Sequence, residues 1–368
     1  MSGIYIHIPF CRSKCIYCDF FSTPRTVDFD AYIAALLKEY HTRRHEISLT
    51  DLRTVYIGGG TPSSLPIPLL RKLIQSFRFP GIKEFTVELN PDDLTPEMAQ
   101  MLADESVNRI SMGAQSMVDA ELRAIGRRHN SQKVRDAVNL LHNVGINNIS
   151  LDLIYGLPGQ TLDSWHHSIS EILALSPRHI SAYSLMFEEG TALWSLRERG
   201  KISEAPQELT EDMYQHLCTT LRDNGYTHYE ISNFAIPGYE SCHNSSYWDF
   251  TPYLGLGPGA HSFDGLRRRF NPPNIADYIS APESFTRIED ENDLEIFNDY
   301  IMVSLRRASG VDIAALRHRF GDDIANDVEA TAADMINRRQ LTATASGFRI
   351  DESQWLIADS LILPFIRI

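Results

Sequence analysis

Between residues 4 and 185 short apolar strand patterns alternate with amphipathic helical patterns six times in succession, and few folds accommodate that order. The candidate strands are Ile4–Ile8, Thr54–Ile57, Phe85–Leu89, Arg109–Met112, Ile149–Leu153 and Ile180–Leu185, rich in Ile, Val, Tyr and Leu and bounded by Gly, Pro or Asn. The first stretch between them places Phe29, Ile33, Leu36, Leu37 and Tyr40 on one helical face, and Leu69–Phe77, Val134–Val144 and Trp165–Leu173 carry similar faces. Strands joined by helical crossovers pair in parallel, as an open doubly wound sheet or as a (β/α) barrel. The polar residues choose between the two. A cysteine loop follows strand one, and Gly58-Gly59-Gly60-Thr61-Pro62 follows strand two. Glu88 ends strand three, Gln115 follows strand four and Asp152 lies late in strand five. Five strand ends meet around one site naturally in a barrel. The expected fold class is α/β, a TIM-like (β/α) barrel, full or partial, over residues 1–205.

After residue 205 the alternation stops. A helix over Glu208–Asn224, a strand over Tyr226–Asn233 and the aromatic, Gly-rich segment Pro237–Phe263 form an expected extension over 206–290. From about Leu294 the pattern turns helical, punctuated by Gly310, Gly321 and Gly347, with a hairpin-like piece at Leu341–Ile350. A small, mostly helical, winged-helix-like C-terminal domain over 291–368 is expected.

At 43% hydrophobic and 22% charged, the 368 residues can bury an ordinary globular core. The formal charge of -14 argues against nucleic-acid binding, and the basic run Arg267-Arg268-Arg269 reads as a solvated loop. The N-terminus lacks a secretory pattern and no stretch approaches about 18 uninterrupted apolar residues, so a cytoplasmic location is expected.

Of five cysteines, three fall in Cys11-Arg-Ser-Lys-Cys15-Ile-Tyr-Cys18. Thiolates this close suit a soft metal centre, of which iron–sulfur clusters are the usual kind. Three ligands on a [4Fe-4S] cubane leave one iron open to an exogenous chelating ligand. A zinc site completed by a remote His, or three reduced structural thiols, are the other readings of the spacing. The glycine run is no P-loop, since no Gly-Lys-Ser/Thr follows it. Gly255-Leu-Gly-Pro-Gly-Ala260 is rejected as a dinucleotide fingerprint because Pro258 interrupts it and no strand–turn–helix surrounds it.

Longer motifs carry a resemblance: Tyr5-Ile-His-Ile-Pro-Phe-Cys11, Tyr17-Cys18-Asp-Phe20, Gly58-Gly-Gly-Thr-Pro62, Ser111-Met-Gly-Ala-Gln115, Gly126-Arg-Arg-His129 and Asp152-Leu-Ile-Tyr-Gly-Leu-Pro-Gly-Gln160. With Tyr229-Glu-Ile-Ser-Asn-Phe234 and Gly259-Ala-His-Ser262, they resemble the coproporphyrinogen dehydrogenase-like branch of the radical S-adenosylmethionine superfamily. The resemblance implies that Cys11, Cys15 and Cys18 ligate a [4Fe-4S] cluster whose open iron binds S-adenosylmethionine. It also implies S-adenosylmethionine contacts at Tyr5, Tyr17, Gly59, Gly60, Thr61, Glu88, Gln115, Arg127 and Asp152.

Within the branch, the dehydrogenases carry a fourth cysteine two positions after the third, where this chain has Phe20, and a long N-terminal extension before strand one that is not expected here. His243-Asn244-Ser-Ser-Tyr247-Trp248 is similar to a His-Asn-x-x-Tyr-Trp motif of the branch's heme-chaperone family. That similarity implies heme held near His243 as an iron ligand, with Tyr247 and Trp248 against the macrocycle; the adjacent Cys242 is a candidate further thiolate ligand or site of covalent attachment. The implied partners are heme, an acceptor hemoprotein such as a membrane-bound respiratory one, an electron donor and a second copy in a homodimer. Oxygen-independent oxidative decarboxylation of coproporphyrinogen III is the alternative. His7, His129 and His261 are assigned to packing or polar support.

Overall fold

The structure is a computed structural model and describes residues 1–24 and 28–368. The expected strands are all present, extended by one to three residues at one or both ends or shifted by one: β1 (Ser2–Ile8), β2 (Leu52–Gly59), β3 (Glu84–Leu89), β4 (Arg109–Gln115), β5 (Ile149–Tyr155) and β6 (His179–Ser184). Between them run α1 (Phe29–Arg43), α2 (Ile67–Ser76), α3 (Pro96–Asp104), α4 (Asp119–Ala124), α5 (Ser131–Asn143) and α6 (Leu162–Ala174). Helix α3 is not in the sequence reading; Thr95 caps it, accepting from Met98 N, with Pro96 in its first turn. Then follow α7 (Ala192–Glu198), α8 (Gln207–Asp223), β7 (Thr227–Glu230), β8 (Asn233–Ala235), α9 (Cys242–Trp248), β9 (Tyr253–Leu256), β10 (His261–Phe263), β11 (Arg268–Phe270) and β12 (Arg287–Ile288).

Strands β1 to β6 pair in parallel in chain order. One face of β4 holds Ile110, Met112 and Ala114, fully buried under the helices, and the alternating residues Arg109, Ser111, Gly113 and Gln115 face inward. The barrel is partial. The free edge of β1 is taken by β9 in parallel, so β6 does not return to β1; β10, β11 and β12 continue antiparallel beyond β9.

The compact units divide the chain differently from the three segments read from the sequence. One unit comprises residues 1–217 and 241–289; the other comprises 218–240 and 290–368. The 206–290 extension is therefore not a unit of its own. Its later part is fixed to the barrel by a buried ionic network around Glu39, which the hydrophobic periodicity of α1 conceals. Glu39 accepts from Arg43 Nη1 (2.6 Å), Asn271 Nδ2 (2.8 Å), Gly257 N (2.9 Å) and Tyr278 OH (2.6 Å). Arg43 also donates to Gly255 O (3.0 Å) and Ser262 Oγ (2.9 Å). A buried charge survives only when paired and hydrogen-bonded, and this pair is both. The glycine run 255–260 serves that packing: a Cβ on Gly255 would lie 1.9 Å from His261 O. The basic run is no solvated loop; Arg268–Phe270 is β11, and Arg269 pairs with Asp264 at 2.9 Å.

In the second unit the expected strand over 226–233 is two, β7 and β8, paired antiparallel around a tight turn closed by Asn233 on Glu230. Helices Asp293–Leu305, Ile313–Phe320 and Asp322–Asn337 are followed by a hairpin of Thr342–Ala343 and Gly347–Arg349, whose second strand pairs with Val311–Asp312. That is the order of a winged helix. Among the described residues no helix is long and apolar enough to cross a membrane.

Candidate functional site

Parallel register aligns the strand ends. Ile8 lies beside Gly59, Glu88 beside Ser111, and Asp152 between Gly113 and Ser181. Together with the cysteine loop they line one cavity of about 400 Å³, among whose lining residues are Cys11, Cys15, Cys18, Tyr17, Gly59, Gly60, Thr61, Glu88, Gln115, Arg127 and Asp152. Loop and barrel are tied by backbone bonds. Cys11 N donates to Thr23 O (3.2 Å), Ile16 N to Ile125 O (3.4 Å) and Leu193 N to Ile16 O (2.8 Å). Glycine is obligatory beside the loop. A Cβ on Gly60 would lie 2.7 Å from Phe10 O, and one on Gly59, at φ +110°, 2.5 Å from the His7 ring.

All three cysteines are half-buried thiols, and burial pushes those of Cys11 and Cys18 above the usual range. Such a set holds thiolates only with positive charge nearby. Arg127 supplies some: Nη1 lies 3.6 Å from Cys15 Sγ, while Nη2 donates to Gly113 O (2.6 Å) and Asn90 Oδ1 (3.2 Å). Its buried Nε has no protein acceptor. Burial works against the Arg127 charge, but Tyr17 and Cys15 outweigh it and raise the guanidinium pKa. The thiol set, that cation and an orphaned donor on a cavity-lining residue fit a thiolate-ligated cluster with a polar ligand beside it.

The carboxylates are poised. Glu88 accepts from Tyr56 OH (2.7 Å) and Gly59 N (3.0 Å), yet burial pushes it up to about 7. Asp152, bonded by Ser181 and Ser111, is pushed by burial up to about 6. Arg109, 1% exposed, lowers both. An acid near neutrality inside a cavity takes on charge readily when a cationic group arrives beside it.

Two sequence expectations need correction. Tyr5 is not among the residues that line the cavity; its hydroxyl bonds His7 Nδ1 (2.9 Å), and it lies within electrostatic reach of Glu88. His243 does not offer an open imidazole. It is 0% exposed; Nδ1 bonds Thr54 Oγ1 and Nε2 bonds Tyr247 OH, each at 2.9 Å. Its ring stacks on Tyr56 with centroids 5.1 Å apart. Burial lowers its pKa to about 3, so the imidazole is neutral and structural in this state. The motif forms α9, whose packing against β1 and β2 buries His243. Tyr247 and Trp248 are half-buried and Cys242 is exposed. His7 and His129 bond Phe21 O (2.9 Å) and Ala114 O (3.1 Å), supporting the loop and β4.

Sequence reasoning missed Asn90, Arg109, Ser111, Ser181 and Asn244, all of which line the cavity. The inward alternation of Arg109, Ser111, Gly113 and Gln115 was a signal for two of them. Exposed Phe20, Tyr183 and Met186 form an apolar rim to the same cavity.

Comparison with known proteins agrees with this geometry. Residues 5–172 match the Radical SAM superfamily. The chain is 37% identical to the heme chaperone HemW of Lactococcus lactis, covering 92% of this chain and 90% of that protein. It is 34% identical to the heme chaperone HemW of Bacillus subtilis, covering 100% and 99%. In structure it is similar to the radical SAM enzyme coproporphyrinogen III oxidase (HemN) of Escherichia coli, with TM-score 0.81, 20% identity and coverage of 99% and 90%, a likeness of fold. The superfamily implies a [4Fe-4S] cluster and S-adenosylmethionine. With its relatives similar from end to end and its cysteine loop seated at the mouth of a partial barrel, the chain belongs to the heme chaperone HemW family within the radical SAM superfamily.

Proposed function

We propose that this protein binds heme and passes it to an acceptor protein, with a [4Fe-4S] cluster and S-adenosylmethionine in its radical SAM core. The observation that carries the reading is the similarity to heme chaperones over the whole chain. Cys11, Cys15 and Cys18 would hold the cluster, which when bound with S-adenosylmethionine supplies a low-potential electron to the sulfonium. Arg127 balances thiolate charge at Cys15, and Gly59 and Gly60 keep the cysteine loop against β2. Gln115, Thr61 and Tyr17 bound the cavity in which the ligand would lie, and Glu88 and Asp152 present the carboxyl groups.

The apolar rim of Phe20, Tyr183 and Met186 suits a flat macrocycle docked over the cavity. Ligation by His243 takes Nε2 away from Tyr247 and therefore opens α9. Electron donor, acceptor and dimer belong to the same proposal.

Anaerobic heme titration of the cluster-reconstituted chain tests it, with His243→Ala and Tyr247→Phe in parallel. Near-stoichiometric binding is expected, altered in its absorption spectrum by His243→Ala. Tyr247→Phe is expected to tighten binding about 3- to 10-fold, since one neutral hydrogen bond no longer competes. Absence of heme binding overturns the proposal, as does anaerobic turnover of coproporphyrinogen III. Binding indifferent to both substitutions removes His243 as the ligand and leaves the rim.

A further inference from the structure

Cys218 near the end of α8, His228 in β7 and Glu352 bring one thiol sulfur, one imidazole nitrogen and one carboxylate oxygen within 4.8 Å of one another. All three belong to the second compact unit. We propose that they form a binding site for a divalent transition metal of zinc chemistry, separate from the cluster site and independent of the heme reading.

The donors converge on a single atom. His228 Nδ1 lies 3.8 Å from Cys218 Sγ and 2.8 Å from Glu352 Oε1. His228 Nε2 faces Ile231 O at 3.4 Å, and a carbonyl can only accept. In the resting tautomer Nδ1–H can donate to Glu352; when the ring proton sits on Nε2, Nδ1 and the carboxylate oxygen are both acceptors around one point, where a metal ion can replace the shared proton.

The outer contacts have the form that metal ligands use. Ile231 O stands ready to accept the Nε2 proton when Nδ1 binds a metal. Arg222 holds the other carboxylate oxygen of Glu352. Phe234 stacks on the imidazole at 3.8 Å and Trp355 meets it edge-on at 4.3 Å, which sets the ring plane. Thiolate, imidazole and carboxylate are the zinc donor set, with bonds of about 2.0–2.3 Å and donors about 3.3–3.6 Å apart at tetrahedral angles. The Sγ–Nδ1 distance is close to that already; the carboxylate moves out by about half an ångström when the ion replaces the shared proton. On binding, the thiol proton leaves to solvent and the sulfur stays as thiolate.

A Cys–His–Glu nucleophile relay fits less well, since thiol and carboxylate share one ring nitrogen instead of using opposite ones. Cys218 is also only 6% exposed. Glu352 is the solvent-facing member, its side chain 28% exposed, and gives an ion its way in.

Three ligands with a fourth position left to water lead to a spectroscopic test. The full chain carrying Cys11→Ala, Cys15→Ala, Cys18→Ala and Cys242→Ser, which leaves Cys218 as its one cysteine, is titrated with Co²⁺ and then Zn²⁺. One ion per chain is expected, with a thiolate-to-cobalt charge-transfer band, visible bands of four-coordinate intensity and displacement by Zn²⁺. Cys218→Ser should abolish the charge-transfer band, and Glu352→Gln at the open edge should weaken Co²⁺ binding at least tenfold with circular dichroism unchanged. Zinc analysis of the cluster-loaded wild type should give one further ion. A folded parent chain that binds no Co²⁺ at micromolar concentration overturns the proposal, as does binding that keeps its charge-transfer band in Cys218→Ser.

Discussion

At the scale of single residues the site is a problem of charge. Arg127 brings its guanidinium to 3.6 Å from Cys15 Sγ. Arg127→Gln should weaken iron retention by about tenfold, the equivalent of a charged hydrogen bond. Chelator-driven iron release from the reconstituted protein measures this; an unchanged rate would leave Arg127 as a brace between Gly113 and Asn90. Glu88 gives a pH signature. Its carboxyl is raised from an ordinary 4.5 to about 7, so between those values the folded chain binds more protons than the unfolded one. The cluster-free chain therefore loses stability as pH rises through this window. Glu88→Gln should remove that loss, worth about 1–2 kcal/mol after allowance for solvent in the cavity. Denaturant midpoints at pH 5 and pH 8 decide it: equal wild-type and variant differences at both would show that Glu88 titrates normally.

At the scale of elements, α9 joins two expectations the sequence kept apart. Its start is fixed by Glu84 of β3, which accepts from Cys242 N (2.8 Å) and His243 N (2.9 Å). Asn244 of the same helix reaches the cavity wall while His243 is locked beneath it. Glu84→Gln should destabilise this seven-residue helix by about 0.5–2 kcal/mol, the value of an N-terminal cap. Amide hydrogen exchange over 242–248 should then accelerate while β1 and β2 stay protected, and heme association should quicken if opening of α9 gates it. Slow exchange in the variant would count against an opening helix. The glycine run illustrates a different limit of reading. Its residue types mark a close approach, but the approaching groups are Phe10, His7 and Glu88 of the chain itself. Spacing along the sequence carries no record of them.

At the scale of the whole molecule, β9 on the edge of β1 makes residues 241–289 part of the barrel unit. A fragment ending at residue 205 should express poorly, bind hydrophobic dye and aggregate, because it exposes the β1 edge and strands buried Glu39 and Arg43 without Tyr278, Asn271 and Gly255. A soluble, cooperatively folding fragment would show that the later strands only decorate the barrel.

Sequence alone determined the local features: which residues form parallel strands, that polar groups gather at strand ends, and that Cys11, Cys15 and Cys18 cluster on the loop after the first strand. Periodicity and spacing report local geometry, and these features are local. Tertiary structure decided the rest. Closure failed because β9 competes for β1, 250 residues along the chain from it in register at Gly3 and Tyr253. His243 is buried because Thr54 and Tyr56 of β2 meet α9 there. Cys218, His228 and Glu352 converge although 124 residues separate the last two. Each is a contact between distant segments, fixed by packing and buried polar pairing, and no local pattern encodes such a contact.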